Sequence, residues 1–130
     1  MTKPLDIART FAVLAPDLGV RPVEVTPSLY ADLDRDFGGF GGHTLVSCHD
    51  FTRSWSSWER HPAGDEIVML LEGGARLRLD ADGGEQVLLL EAPGSYVIVP
   101  RGVWHTADID RPARLLFLTP GEGTENRARV

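Results

Sequence analysis

An antiparallel β-sandwich or barrel with one short helix near the N-terminus is the fold this sequence predicts. Three observations point to it. From His43 onward the chain is a series of short apolar or alternating runs. Glycine and proline, 14 and 9 of them in the whole chain, punctuate the sequence. Only one stretch, before residue 38, carries helical periodicity. Short strands between turn residues, with little helix, close into a sandwich or barrel. At 130 residues the chain suits a single domain that can bury a core without staples. We divide it into an N-terminal arm and helix over 1–42, the barrel over 43–118 and a polar, mobile tail over 119–130.

Taken in order, Ile7 to Leu14 is an apolar stretch closed by Ala15-Pro16-Asp17, readable as a short helix or as an arm that packs on a partner subunit. Arg21-Pro22-Val23-Glu24-Val25 reads as an edge strand, where proline is tolerated. Thr26 is a good N-cap and Pro27 suits the first helical position. Leu29, Tyr30 and Leu33 then recur at helical spacing until Gly38-Gly39 and Gly41-Gly42 break the pattern. The strands follow: His43 to Phe51, the apolar run Ile67 to Leu71, and Ala75 to Asp80 with period two. Asp82-Gly83 is a hairpin signal, with Gln86 to Leu90 as the return strand. Tyr96 to Val99 and Arg114 to Leu118 complete the set. There is no internal repeat and no low-complexity segment.

Composition narrows the function. A net charge of −6 argues against nonspecific binding to nucleic acid, which needs a basic surface. The single cysteine, Cys48, forbids an intramolecular disulfide and reads as a small buried hydrophobe. The N-terminal residues lack the apolar core of a signal peptide, and no apolar run approaches membrane-spanning length. A soluble cytoplasmic protein is expected.

The chemistry concentrates in two separated stretches. One runs Trp58-Glu59-Arg60-His61-Pro62-Ala63-Gly64-Asp65-Glu66 and on to Gly73; the other runs from Gly94 through Pro100-Arg101-Gly102 to Trp104-His105. Two imidazoles and a carboxylate, from His61, Glu66 and His105, suit a divalent transition metal: Fe, Mn, Zn, Ni or Co. On a strand, residues two apart face the same way, so Glu59 joins His61 while Trp58 and Arg60 face outward. Two inward carboxylates call for a positive charge between them. Glu59 then has three readings: a fourth metal ligand, a partner or general base standing off the metal, or the mark of a site that has lost its metal.

These stretches resemble the two signature motifs of the cupin superfamily. The usual first motif is a glycine, His-x-His, a Glu and a glycine; the spacings His61 to Glu66 and Glu66 to Gly73 match it. The second is Gly-x5-Pro-x-Gly-x2-His, matched by Gly94, Pro100, Gly102 and His105. The resemblance implies a jelly-roll β-barrel with a metal site in its mouth. Two departures stand out: Glu59 replaces the first histidine of the His-x-His pair, and Ile109 stands where an asparagine often closes the second motif. The resemblance also implies a homodimer in which N-terminal strands, here residues 1–25, extend the partner's sheet.

Trp55, Trp58 and Trp104 flank the motifs as a possible aromatic rim; for Trp58 and Trp104 ordinary packing is the better reading, because each alternates with an inward residue. His43 and His49 share a face with Leu45, Ser47 and Phe51, and either would reach the pocket or sit as an ordinary surface or core residue. The glycines around Phe40 read as a flexible lead-in, since they follow a helix and make no dinucleotide fingerprint. Three functions fit: a metal-dependent enzyme on a small organic molecule (oxygenase, isomerase or lyase), a non-enzymatic small-ligand or metal-binding sensor, and a structural dimer with a vestigial site. Fold alone selects none of them.

Overall fold

The computed structural model describes residues 3–130, so the first two residues of the expected arm lie outside it. Nine strands and one short helix follow in order: β1 Thr10–Leu14, β2 Val20–Glu24, α1 Leu29–Asp36, β3 Thr44–Phe51, β4 Ser57–Arg60, β5 Glu66–Ala81, β6 Gly84–Leu90, β7 Tyr96–Val99, β8 Trp104–Thr119 and β9 Glu125–Ala128. All pairings are antiparallel. The all-β, jelly-roll expectation holds.

Two 16-residue strands, β5 and β8, build the sandwich. They pair along their length, but the first half of β5 also pairs β7 and its second half β6. The end of β8 pairs β3, which carries β1 and then β2, while its start meets β4. Each long strand thus passes from one leaf to the other. The crossing lies between Leu70 and Ala75, where the register shifts. Inward side chains change parity there: Glu66, Val68 and Leu70 before it, Ala75, Leu77 and Leu79 after. The sequence therefore shows two strand signals with different periods for what is one strand. Gly73 makes the bend possible: its φ is +85°, and an added Cβ would stand 1.9 Å from the Pro112 carbonyl oxygen. The main core, including Val68, Leu70, Leu77, Leu79, Leu115 and Phe117, lies between the leaves.

Several boundaries differ from expectation. Ile7 to Leu14 is no helix; its second half is β1, paired to β2 and β3. The arm is thus part of this chain's own sheet, and the barrel reaches beyond 43–118. Pro22 does lie in the edge strand β2. Helix α1 starts at Leu29 with Ser28 rather than Thr26 at its N-cap, because the Leu29 N–H closes a turn onto the Thr26 carbonyl (3.1 Å) before the helix begins. It buries Leu29 and Leu33 in a second core with Phe11, Val13, Phe40 and Leu45. The glycine-rich lead-in is a 3-10 turn over Gly38–Phe40, and Phe40 is buried despite a φ of +64°. The run Arg114 to Leu118 is the end of the longer β8.

The largest correction concerns the tail. Residues 125–128 form β9, which pairs with β4 over Ser57–Arg60. Arg127 reaches Asp80 at 2.9 Å, Arg129 reaches Asp108 at 2.8 Å, and Arg60 pairs with Glu125 at 3.0 Å. The polar composition that suggested a free end serves strand pairing and charge partners instead. Trp58 and Trp104 pack outside as expected, under the guanidiniums of Arg60 and Arg127 at 4.5–5.4 Å.

Candidate metal centre

Three strands and one turn deliver the four side chains. β4 carries Glu59 and ends at Arg60, so His61 opens the following turn on the same side. Glu66 is the first residue of β5, and His105 the second of β8. Glu59 and His105 are directly opposite in the β4–β8 pairing. The two motif stretches are also tied through backbone: the Gly102 N–H donates to the His61 carbonyl at 3.0 Å, and the Arg101 N–H to Asp65 Oδ1 at 2.8 Å. Val103 N–H closes a turn onto the Pro100 carbonyl at 3.1 Å, with Gly102 at φ +74°. Proline and glycine in that turn aim His105 at the ends of β4 and β5.

The cluster is buried. His61, Glu66 and His105 are 4%, 1% and 0% exposed, and the Glu59 side chain 27%. Glu66 Oε2 lies 3.2 Å from His61 Nε2, Glu66 Oε1 lies 3.0 Å from His105 Nε2, and Glu59 Oε1 stands 3.6 Å from both rings. Despite these distances, His61 Nε2, His105 Nε2 and Glu66 Oε1 are buried with no hydrogen-bond partner. The atoms are close but do not point at one another. Orphaned buried polar atoms are rare and costly. Atoms bound about 2.1 Å from one ion stand about 3.0 Å apart across an octahedral edge and about 3.4 Å apart across a tetrahedral one. The spacings here fall around those values, so the donor set fits a divalent transition metal that all four residues could hold.

Groups behind the cluster fix the ring tautomers. The His105 Nδ1–H donates to the Val103 carbonyl at 3.1 Å, an atom that can only accept. The Thr124 hydroxyl donates to the Gly121 carbonyl at 2.9 Å, so its oxygen accepts from the His61 Nδ1–H at 2.8 Å. Both Nε2 atoms are thereby left with lone pairs facing the centre. The Thr119 hydroxyl donates to Glu66 Oε2 at 2.6 Å, leaving Oε1 free. Without a metal, proton exchange would satisfy the cluster differently. Burial opposes charge on the rings, but Glu59 and Glu66 outweigh it and push His61 and His105 up to about 9. Burial likewise opposes ionising the carboxyls; His105 and His61 prevail, holding Glu59 at about 2 and Glu66 below its usual value. A metal would displace the ring protons.

Glu59, His61 and Glu66 line an open cleft of about 1050 Å³, with His105 buried behind them. His49 lies in that cleft, its Nε2 2.8 Å from the Tyr30 hydroxyl. Strand parity signalled it, since Leu45, Ser47 and Phe51 of the same face line the cleft too. His43 instead bonds the Gly41 carbonyl at 2.7 Å beside Phe37 and Phe40. Trp55 is a cleft residue, and Cys48 is buried on the opposite face of β3. Arg60 is engaged by Glu125 on the outer side of β4. The contribution of Thr119 and Thr124 had no sequence signal, because neither belongs to a motif.

A jelly-roll with this cluster in its mouth defines a class. The cupin domain profile matches residues 53–119, just over half of the 130 residues, and the chain belongs to the cupin family. Among solved structures it is similar to a cupin superfamily protein from Desulfitobacterium hafniense (25% identity, covering 58% of this chain and 65% of that one, TM-score 0.50). A recombinant oxalate oxidase in complex with glycolate is similar at 16% identity, covering 63% and 45%, with a TM-score of 0.54. Peruvianin-I, a cysteine peptidase from Thevetia peruviana latex, is similar at 17% identity, covering 67% and 57%, with a TM-score of 0.55. The chain thus spans between 45% and 65% of the length of these three, and the last two likenesses show the fold alone. No curated protein matches the chain. Among the described residues, no helix is long and apolar enough to cross a membrane.

Proposed function

We propose that this cupin is a metal-dependent enzyme that transforms a small organic molecule in the barrel mouth, by oxygenase, isomerase or lyase chemistry. The observation that carries the reading is the convergence of unpartnered His61 Nε2, His105 Nε2 and Glu66 Oε1 on one buried point. Glu59, His61, Glu66 and His105 would hold the ion. Bound there, a divalent metal supplies a Lewis acid that polarises a substrate oxygen or a place for oxygen to bind.

The remaining roles belong to the protein. Glu66 and Glu59 together offset the two charges of the ion. Thr124 and the Val103 carbonyl keep the rings in the ligating tautomer. Of the three readings of Glu59, direct ligation is best supported. Its Oε1 is equidistant from the two ring nitrogens, 3.6 Å from each, as a ligand shared with them would be. Its partial exposure places it at the cleft side of the cluster, where substrate would arrive. A homodimer fits the sheet: among the described residues β2 pairs only with β1, and its other edge, with Val20 exposed, is open to a second copy.

Elemental analysis of the purified protein tests the metal, and a reconstituted protein incubated with a metabolite library tests turnover. A protein that purifies without metal, and whose melting temperature no added divalent ion shifts, would sink the reading. Ligand binding without product formation would favour the sensor alternative. Light scattering decides the dimer: a mass of 14.2 kDa in solution means a monomer.

A further inference from the structure

The walls of the cleft differ from its floor. From His49 to the ligand His105 one side is a chain of rings in mutual contact. Phe51 and Trp55 have centroids 5.7 Å apart, Trp55 and Phe117 stand at 6.0 Å, and Trp55 meets His105 edge-on at 6.3 Å. His49 closes the chain against Phe117 at 6.0 Å. Phe40 lines the cleft as well. Ring faces and edges at tilted angles offer a planar guest both stacked and edge-on contacts, which a saturated guest of equal size cannot exploit.

Charge narrows the guest further. Arg53 is the one lysine or arginine among the cleft-lining residues, Asp34 lines the cleft as well, and both are exposed. With Glu59 and Glu66 offsetting a divalent ion, the floor carries no surplus positive charge. A small dianion would leave water for a site that neither attracts it nor pairs its second carboxylate. A singly charged aromatic molecule meets both conditions: rings for its ring, and one exposed guanidinium for a long anionic arm or water for a short one. The volume of about 1050 Å³ is ample for one or two fused rings.

We propose that the cleft takes an aromatic molecule of one or two rings bearing an oxygen donor, such as a phenol or hydroxybenzoate, with that oxygen turned toward Glu59, His61, Glu66 and His105 and the ring against Trp55, Phe51 and Phe117. This substrate class rests on the metal-enzyme reading above.

The test compares salicylate with cis-2-hydroxycyclohexanecarboxylate, which presents the same donor groups on a saturated ring, and with oxalate. Binding is measured by calorimetry on Zn(II)-loaded and metal-stripped protein, with metal content assayed separately. Salicylate is expected to bind about tenfold more tightly than its saturated analogue, the worth of one or two ring contacts, and oxalate more weakly still. Trp55→Leu should reduce the preference to about twofold with metal content unchanged; Phe51→Leu serves if the first variant does not fold. Equal binding of salicylate and its saturated analogue overturns the proposal, as does tighter binding of oxalate or a preference that survives in the variants. If the protein takes up no metal yet keeps the aromatic preference, the metal reading fails and the ligand class stands.

Discussion

Replacing Thr124 with valine keeps the shape of the side chain and removes one oxygen. That oxygen is the acceptor for the His61 Nδ1–H at 2.8 Å, and its own proton is committed to the Gly121 carbonyl. In the variant the ring N–H is buried without a partner, at a cost of about 1–3 kcal/mol. The loss falls on the ligating tautomer, because a ring that moves its proton to Nε2 no longer offers a lone pair to the centre. Removing such an outer partner typically weakens metal affinity about 10–100-fold, which corresponds to about 1.4–2.8 kcal/mol, so the two estimates agree. Competition against a chromophoric chelator measures the affinity, and thermal melting of the metal-free protein reports the fold. Thr124→Ser should restore most of the affinity, since its hydroxyl can make both hydrogen bonds. Wild-type affinity in the valine variant, or no recovery in the serine variant, would refute the assignment of Thr124 as the group that orients His61.

Other outcomes follow from the same geometry. The metal-free protein should be most stable between about pH 4.5 and 6.5. The contributions of His61 and His105 are complete below their ordinary 6.5 and disappear as pH rises through about 9, and that of Glu59 is complete above 4.5 and disappears as pH falls through about 2. Melting curves across pH check this, and with metal the optimum should move upward, because the ion and the ring protons compete. His105→Ala should abolish metal binding while circular dichroism stays that of a β-protein; an unfolded variant would make His105 a core residue instead. Gly73→Ala should cost at least about 3 kcal/mol in chemical denaturation, since a methyl group would collide with the Pro112 carbonyl at a backbone angle alanine avoids.

The cupin scaffold was legible because its signals are local. Glycine at positive φ and proline at turns are demanded by backbone geometry, and Gly73 and Gly102 show the geometry that requires them. Alternation then placed Glu59 with His61, and Leu45, Ser47, His49 and Phe51 on one face, without any knowledge of the sheet. What escaped was decided by distant partners. β9 carries little apolar pattern, because its four residues are all exposed and its pairing with β4 is made by backbone and by ion pairs. Thr124 and Thr119 look like any surface threonines until residues 53 to 63 positions away bring them to His61 and Glu66. The continuity of β5 was hidden by its change of parity at the bend, which imitates the end of one strand and the start of another.

The tail and the metal should therefore stabilise each other. β4, which carries Glu59 and leads into His61, meets β8 through a single paired position, Glu59 with His105, whereas it pairs with β9 at four. Fixing Glu59 and His61 around an ion fixes β4, and a fixed β4 is a better partner for β9; Thr124, between the ligand and the strand, adds a second link. Linkage makes the effect reciprocal. Hydrogen exchange at residues 125–128 should slow when metal is added to the stripped protein, by about tenfold or more if the ion contributes even 1.4 kcal/mol to closing that segment. Exchange at Leu115 and Phe117 of β8 should change far less, because the main core holds them with or without the ion. Tail amides that exchange at the same rate in both states would show that β9 is held by its strand pairing and ion pairs independently of the ion, and would separate the fate of the tail from the site it adjoins.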